Sequence, residues 1–304
     1  MIKNFEELIN AAQQIKNKKV VVVFPNNEET LSAVNQACEE GIANFILVGN
    51  EEIIRKKFLS RVPKGVEIIN DPEVNRALEK SIELIRRGEG DILLKGGVDT
   101  GTLMKAVLQD ESGIRSGRLL SDVFIFEYPS RIGNKLIMIT DGGLTLVPNL
   151  KEKVELINNA VEVAHALGNA NPKVAVLSAT EFVNPKLQST VDAAELTRMN
   201  ESGQIKGCTV HGPLALDNAV SVEAAEEKGI KSPVAGNAEI LILPNIEAAN
   251  IFAKGTTYFA GYRLAHVIIG GRIPILIPSR ADKSDAKMLS IALGKIMCEY
   301  YTRK

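Results

Sequence analysis

The chain has 304 residues, 45% of them apolar, and its 36 lysines and arginines against 37 aspartates and glutamates leave a formal net charge of -1. That length exceeds what one hydrophobic core ordinarily serves and predicts two domains, while the charge balance gives no footprint for nucleic acid. The three cysteines, Cys38, Cys208 and Cys298, lie far apart without a CxxC pair, which excludes a disulfide framework or a zinc knuckle from the expectation.

At the start of the chain, Phe5, Leu8, Ile9, Ala12 and Ile15 recur at helical spacing over residues 4–17. This segment is charged and amphipathic and lacks the apolar stretch of a secretory signal. No run in the chain approaches the roughly 18 apolar residues of a membrane span, so a cytoplasmic protein that does not enter the membrane is expected. Lys19–Phe24 (KVVVVF) reads as a strand buried on both faces. A helix over 28–40, a strand over 44–48, a helix over 51–60 and a weak strand over 66–69 follow. Asp71-Pro72 opens a helix that runs to about 87, and Asp91–Lys95 is a strand that ends in Gly96-Gly97.

This alternation predicts right-handed crossover units and a mostly parallel sheet. Val123–Glu127 and Leu136–Thr140 interrupt it as an antiparallel, hairpin-like pair. The alternation resumes with a helix over 150–168, a strand over 173–177, a helix over 187–199 and a strand over 239–243. A helix from about Glu247, strands over 267–269 and 275–277 and a last helix over 284–302, with Ser284 as its cap, complete the chain. The fold class is therefore α/β, with two domains of mostly parallel sheet and flanking helices. The pattern alone does not decide to which domain the last helix belongs.

Several junctions carry groups suited to chemistry. At Lys95–Lys105 (KGGVDTGTLMK) a strand ends, two glycines turn and a helix starts, which offers Gly97 and the hydroxyls of Thr100 and Thr102 to an anion, with Lys105 one turn further on. The spacing matches neither GxGxxG nor a Walker A loop. Asp141-Gly142-Gly143 is either a turn at a domain boundary or a loop that admits a ligand closely. His211 stands in CTVHGP without a partner of metal-ligand type, so no metal site is expected there. Asn245, after Pro244, either caps the next helix or contacts a ligand. In Pro278–Asp285 (PSRADKSD), Ser279 and Arg280 end a strand, where Arg280 suits a phosphate or carboxylate fork, and Asp285 lies in the first helical turn.

Five ordered segments then bear a resemblance: LLKGGVDTGTLMKAVL, ITDGGLTLVPNL, VHGPLALDNAVS, AGNAEILILPNIEAANIFAK and ILIPSRADKSDAKMLSIAL. Together they resemble the phosphate acetyl/butyryl transferase family, and its butyryl branch most, over nearly the whole chain. The resemblance implies an isocitrate-dehydrogenase-like fold. One domain is then residues 1–142 with 280–304, the second is 143–279, and the site lies in the cleft between them. It implies transfer of a butyryl or similar short acyl group between coenzyme A and inorganic phosphate, in a homodimer or larger homo-oligomer, with no metal and no cofactor. The substrates are butyryl-coenzyme A or coenzyme A, with phosphate or butyryl phosphate.

The family's Ser-Arg pair maps onto Ser279 and Arg280, and its catalytic aspartate onto Asp285, with Asp282 as the rival. Gly97, Thr100, Thr102, Lys105, Asp141, Gly142, His211, Asn245 and Tyr258 make up the expected substrate-binding set. Lys105 and Tyr258 stand where the acetyl branch carries arginines. The alternatives are transfer of acetyl, or binding of an acyl phosphate or acyl-coenzyme A without turnover. An oxidoreductase of the isocitrate-dehydrogenase type would need a cluster of metal-binding aspartates and a nicotinamide site, and the sequence displays neither.

Overall fold

A computed structural model describes residues 1–16, 18–58, 61–130, 133–279 and 281–303. In chain order its elements are α1 (Phe5–Gln14), β1 (Lys19–Val23), α2 (Glu28–Glu39), β2 (Asn44–Gly49), α3 (Glu51–Lys57), β3 (Val66–Asn70), α4 (Val74–Arg86), β4 (Ile92–Lys95) and α5 (Thr100–Val107). A 3-10 turn at Asp110–Ser112 leads to β5 (Ser121–Ser130), β6 (Gly133–Thr140), α6 (Leu150–Ala166), β7 (Lys173–Leu177), α7 (Gln188–Glu201) and β8 (Thr209–Leu214). The chain continues through α8 (Leu216–Val220), α9 (Val222–Glu227), β9 (Ile240–Ile242), α10 (Ile246–Tyr258), β10 (Leu264–Ile269), β11 (Ile275–Leu276) and α11 (Ser284–Arg303).

The contacts divide the chain into two compact units, a flanking one of Phe5–Leu120 with Leu264–Lys304 and a middle one of Met1–Asn4 with Ser121–Arg263. α11 thus belongs with the N-terminal elements. The divisions fall at 120/121 and 263/264, where the resemblance implies 142/143 and 279/280. Strand pairing accounts for the difference. β6 pairs in parallel with β9 from Met138 to Thr140, which carries the β5–β6 hairpin into the middle unit. β11 pairs with β4 through Ile275 and Leu276, which keeps β10 and β11 in the flanking unit.

In the flanking unit the strand order is β3-β2-β1-β4-β11-β10, parallel except for the antiparallel β10–β11 contact. β1 lies between β2 and β4 with all four valines fully buried, as its unbroken β-branched run requires. α11 packs against α1, α2 and β10, and α4 packs over β1 and β2. Strand order runs leftward from β1 and then jumps to β4, so the carboxyl ends of β1 and β4 form the topological switch point of this unit.

In the middle unit the order is β5-β6-β9-β7-β8, with β6, β9, β7 and β8 parallel behind the antiparallel hairpin. α6 packs on β5, β6 and β9, and α7 on β7 and β8. Asn149 and Glu152 form a complete capping box at the start of α6. The buried Lys153 of α6 reaches Asp192 of α7 at 2.5 Å, and Gln188 donates to the other oxygen of that carboxylate at 2.7 Å.

Three local expectations change. β8 has no counterpart among the elements expected from the sequence: Gly212 and Pro213 weaken its strand signal, yet Pro is tolerated because β8 is the last strand on that side and pairs only with β7. α4 starts at Val74, because the Glu73 carboxylate caps it through Asn75 and Arg76 N–H. Ser284 is the first helical residue of α11, and its N–H is taken by Glu29 Oε2 at 2.9 Å.

Candidate active site

The groups singled out in the flanking unit gather at the carboxyl edge of β1, β4 and β11. The starts of α2, α5 and α11 lie directly after these strands or their loops. After β4, Gly96 N–H donates to Val23 O at 3.0 Å and Gly97 N–H to Phe24 O at 2.7 Å, which closes this loop onto the one after β1. A side chain at Gly97 would run into the Asn26 amide. The two glycines are therefore required by the meeting of two loops, and not by the approach of a ligand alone. Asp99 caps α5 by accepting from Thr102 N–H at 2.8 Å, and hydrogen bonding to the Thr102 side chain, together with this backbone bond, holds its carboxyl below the usual range. Thr100 and Thr102 are half-buried at this helix start, and Lys105 is exposed on the next turn, on the face it shares with Thr102.

Ser279 and Asp282 lie between β11 and α11. Ser279 is half-buried and its N–H donates to Asp282 Oδ2 at 2.7 Å, while Asp282 N–H returns to Ser279 O at 3.2 Å. Lys287, only 2% exposed, donates its ammonium to Ser279 O at 3.1 Å and also to Asp282 O. Burial lowers the proton affinity of this ammonium, and the carboxylates of Asp282 and Glu29 oppose that shift. Asp285 lies half-buried in the first turn of α11, where the helix favours a negative charge. Arg280, the second half of the Ser-Arg pair, lies outside the described residues.

In the middle unit the loops after β6 and β9 are joined. Asn250 Nδ2 donates to Gly142 O at 2.9 Å and Ile246 N–H to Leu146 O at 2.9 Å. Asp141 is 3% exposed, and its carboxylate organises the loop around itself. It accepts from the N–H groups of Asp122 at 3.2 Å, Gly143 at 2.9 Å, Leu144 at 3.1 Å and Thr145 at 3.0 Å, and from the Thr145 hydroxyl at 2.9 Å. Burial pushes its pKa from 3.8 up to about 6, the Asp122 charge adds to the rise, and the Gly143 and Thr145 bonds oppose it. Asp141 thus shapes the loop that carries Gly142. A side chain at Gly143 would come within 2.6 Å of Asp122 Oδ2.

Asn245 caps α10 by accepting from Ala248 N–H at 2.9 Å, the first of its two expected roles. Tyr258 ends the same helix at 65% exposure. His211 sits on β8 near Glu201, at the far end of α7; burial lowers its proton affinity and Glu201 opposes the shift. That position is apart from the loops after β6 and β9. Among the described residues no group of three or more His, Cys, Asp or Glu side chains is arranged to hold a metal ion, and no helix is long and apolar enough to cross a membrane.

Sequence reasoning missed Glu29, Asp122, His266 and Lys287, all of which build these loops. Each is distant in sequence from the loop it supports, or lies in an element that reads as core. Lys287 did carry a signal, as a cation on the apolar face of α11, a feature it shares with the equally buried Lys295.

The family description "Phosphate acetyl/butaryl transferase" matches residues 4–83 and 71–294. The chain is 43% identical to a phosphate butyryltransferase of Clostridium acetobutylicum, over 98% of this chain and 99% of that protein. It is also 43% identical to a phosphate acetyltransferase of Thermotoga maritima, over 96% and 98%. A branched-chain phosphotransacylase from Enterococcus faecalis V583 superposes with a TM-score of 0.83 at 30% identity, covering 93% of this chain and 99% of that structure. The chain belongs to the phosphate acetyl/butyryl transferase family.

Proposed function

We propose that the protein reversibly transfers a butyryl group between coenzyme A and inorganic phosphate. The observation that carries this reading is family membership over nearly the whole chain, together with 42–43% identity to proteins named as phosphate butyryltransferases or probable ones from three organisms. In the acyl-phosphate-consuming direction, Asp285 takes the thiol proton of coenzyme A and the thiolate attacks the carbonyl carbon of butyryl phosphate. The C–S bond forms, the C–O bond to phosphate breaks, and phosphate leaves held by Ser279 and Arg280. The reverse reaction exchanges the acid and base roles. Gly97, Thr100, Thr102 and Lys105 form the neighbouring anion-binding edge. The reading needs no metal, since cationic side chains and N–H groups suffice to neutralise phosphate. It also includes an isocitrate-dehydrogenase-like fold, a cytoplasmic location and a homodimer or larger homo-oligomer.

Acetyl is the second reading, favoured by the 43% identity to the Thermotoga maritima acetyltransferase. A kcat/KM series over acetyl-, propionyl-, butyryl-, isobutyryl- and valeryl-coenzyme A with saturating phosphate separates the two. Two extra methylenes at about 0.8 kcal/mol each give butyryl an advantage on the order of tenfold. An optimum at acetyl would replace the butyryl assignment and leave acyl transfer standing.

A further inference from the structure

We propose that Asp282 is a positioning residue, which with His266 and Lys287 fixes the backbone at Ser279, and that it is not the base of the reaction. This inference rests on the acyl-transfer reading and decides between the two aspartates that the sequence leaves open.

The geometry assigns both sides of Asp282 to the loop. Its Oδ2 accepts Ser279 N–H at 2.7 Å, and its own N–H donates to Ser279 O at 3.2 Å, so the two residues clasp each other. The Ser279 hydroxyl accepts from Ala281 N–H at 3.4 Å. Lys287 Nζ binds the carbonyls of both Ser279 and Asp282. His266 is 5% exposed on β10, and its Nε2 lies 3.8 Å from the same Oδ2 that holds Ser279. His266 is itself anchored to α11, because its N–H donates to Ser290 Oγ at 3.0 Å and that hydroxyl donates to Ala286 O at 2.9 Å.

A base must take up a proton on its carboxylate at each turnover. Protonation of Asp282 would remove the negative charge that accepts the Ser279 N–H and attracts Lys287, and it would loosen the loop at the moment the loop must hold phosphate. Asp282 therefore serves the reaction best by staying ionised and bonded. A loop shift of the order of 1 Å costs about 100-fold in rate when it misplaces a reacting group.

The test compares wild type, Asp282→Ala and Asp282→Asn in two readouts: steady-state phosphorolysis of butyryl-coenzyme A across pH, and hydrogen–deuterium exchange of the peptide that spans Ser279. Asp282→Asn retains one oxygen that can accept the Ser279 N–H. The expected result is a kcat lowered about 30- to 100-fold in Asp282→Ala with KM for butyryl-coenzyme A changed less than about threefold, and at least about a tenth of wild-type kcat in Asp282→Asn. The acid limb of the pH profile stays in both variants, and exchange at Ser279 rises in Asp282→Ala far more than in Asp282→Asn.

Asp282→Asn as inactive as Asp282→Ala, with wild-type exchange and a lost acid limb, would make Asp282 the base and overturn the proposal. Wild-type rates and exchange in both variants would remove it from the mechanism, which also overturns the proposal. Wild-type protein that releases no thiol from any short acyl-coenzyme A would defeat the acyl-transfer reading instead, and the exchange data would still decide whether Asp282 holds the loop.

Discussion

At the scale of single residues, Arg280 bears the heaviest assignment. Arg280→Ala is expected to fold as wild type does while kcat falls by orders of magnitude, because a charge-assisted fork on phosphate counts most where charge develops. Near-normal turnover with an unchanged Tm would exclude Arg280 from the reaction. Asp141 makes a separate prediction. Its pKa of about 6 lies above the ordinary 3.8, so between those values the folded protein binds a proton that the unfolded chain has released. The stability this contributes is complete below the ordinary value and is lost as pH rises through about 6. The ionised, buried carboxylate then costs roughly 3 kcal/mol at 1.36 kcal/mol per unit. Asp122→Asn removes the neighbouring charge that adds to this cost. Urea unfolding is expected to show the variant gaining stability relative to wild type at about pH 8 and much less at about pH 5, and an equal effect at both pH values would contradict the coupling.

At the scale of elements, the buried Lys153–Asp192 pair ties α6 to α7. Asp192→Ala leaves the Lys153 ammonium buried without its carboxylate and is expected to destabilise the protein by about 3 kcal/mol or more, whereas Lys153→Met combined with Asp192→Leu is expected to cost much less. Denaturant midpoints check both, and a double variant as unstable as the single one would show that the pair contributes more than charge compensation. The same elements show what the sequence carries and where it stops. β1, β4, α6 and α11 are legible because their periodicity is set by burial within a few residues: the valine run of β1 can only be a two-faced core strand. β8 is not, because Gly212 and Pro213 obey the rules of an outer strand that only the finished sheet defines. The contact-based divisions differ from the expected ones for the same reason, since β6 joins the middle unit through a partner, β9, that lies about a hundred residues further on. Within the site, the residues that end strands or open helices could be named from local pattern. Their supports could not: the carboxylate of Glu29 reaches Ser284 across 255 positions, a contact that no local pattern encodes.

At the scale of the whole molecule, the protein is a phosphate acyltransferase, and the mechanism proposed above uses only its side chains and backbone N–H groups. Activity after exhaustive treatment with a chelator is expected to remain at the untreated level, and loss of activity that a divalent ion restores would require a metal in the mechanism. The central claim is that phosphate, and not water, accepts the acyl group. It is tested most directly by following thiol release from butyryl-coenzyme A as phosphate is varied, with the butyryl phosphate formed measured in the same samples. The expected result is release that is saturable in phosphate and matched one for one by butyryl phosphate. Release independent of phosphate, or free butyrate in place of butyryl phosphate, would contradict it.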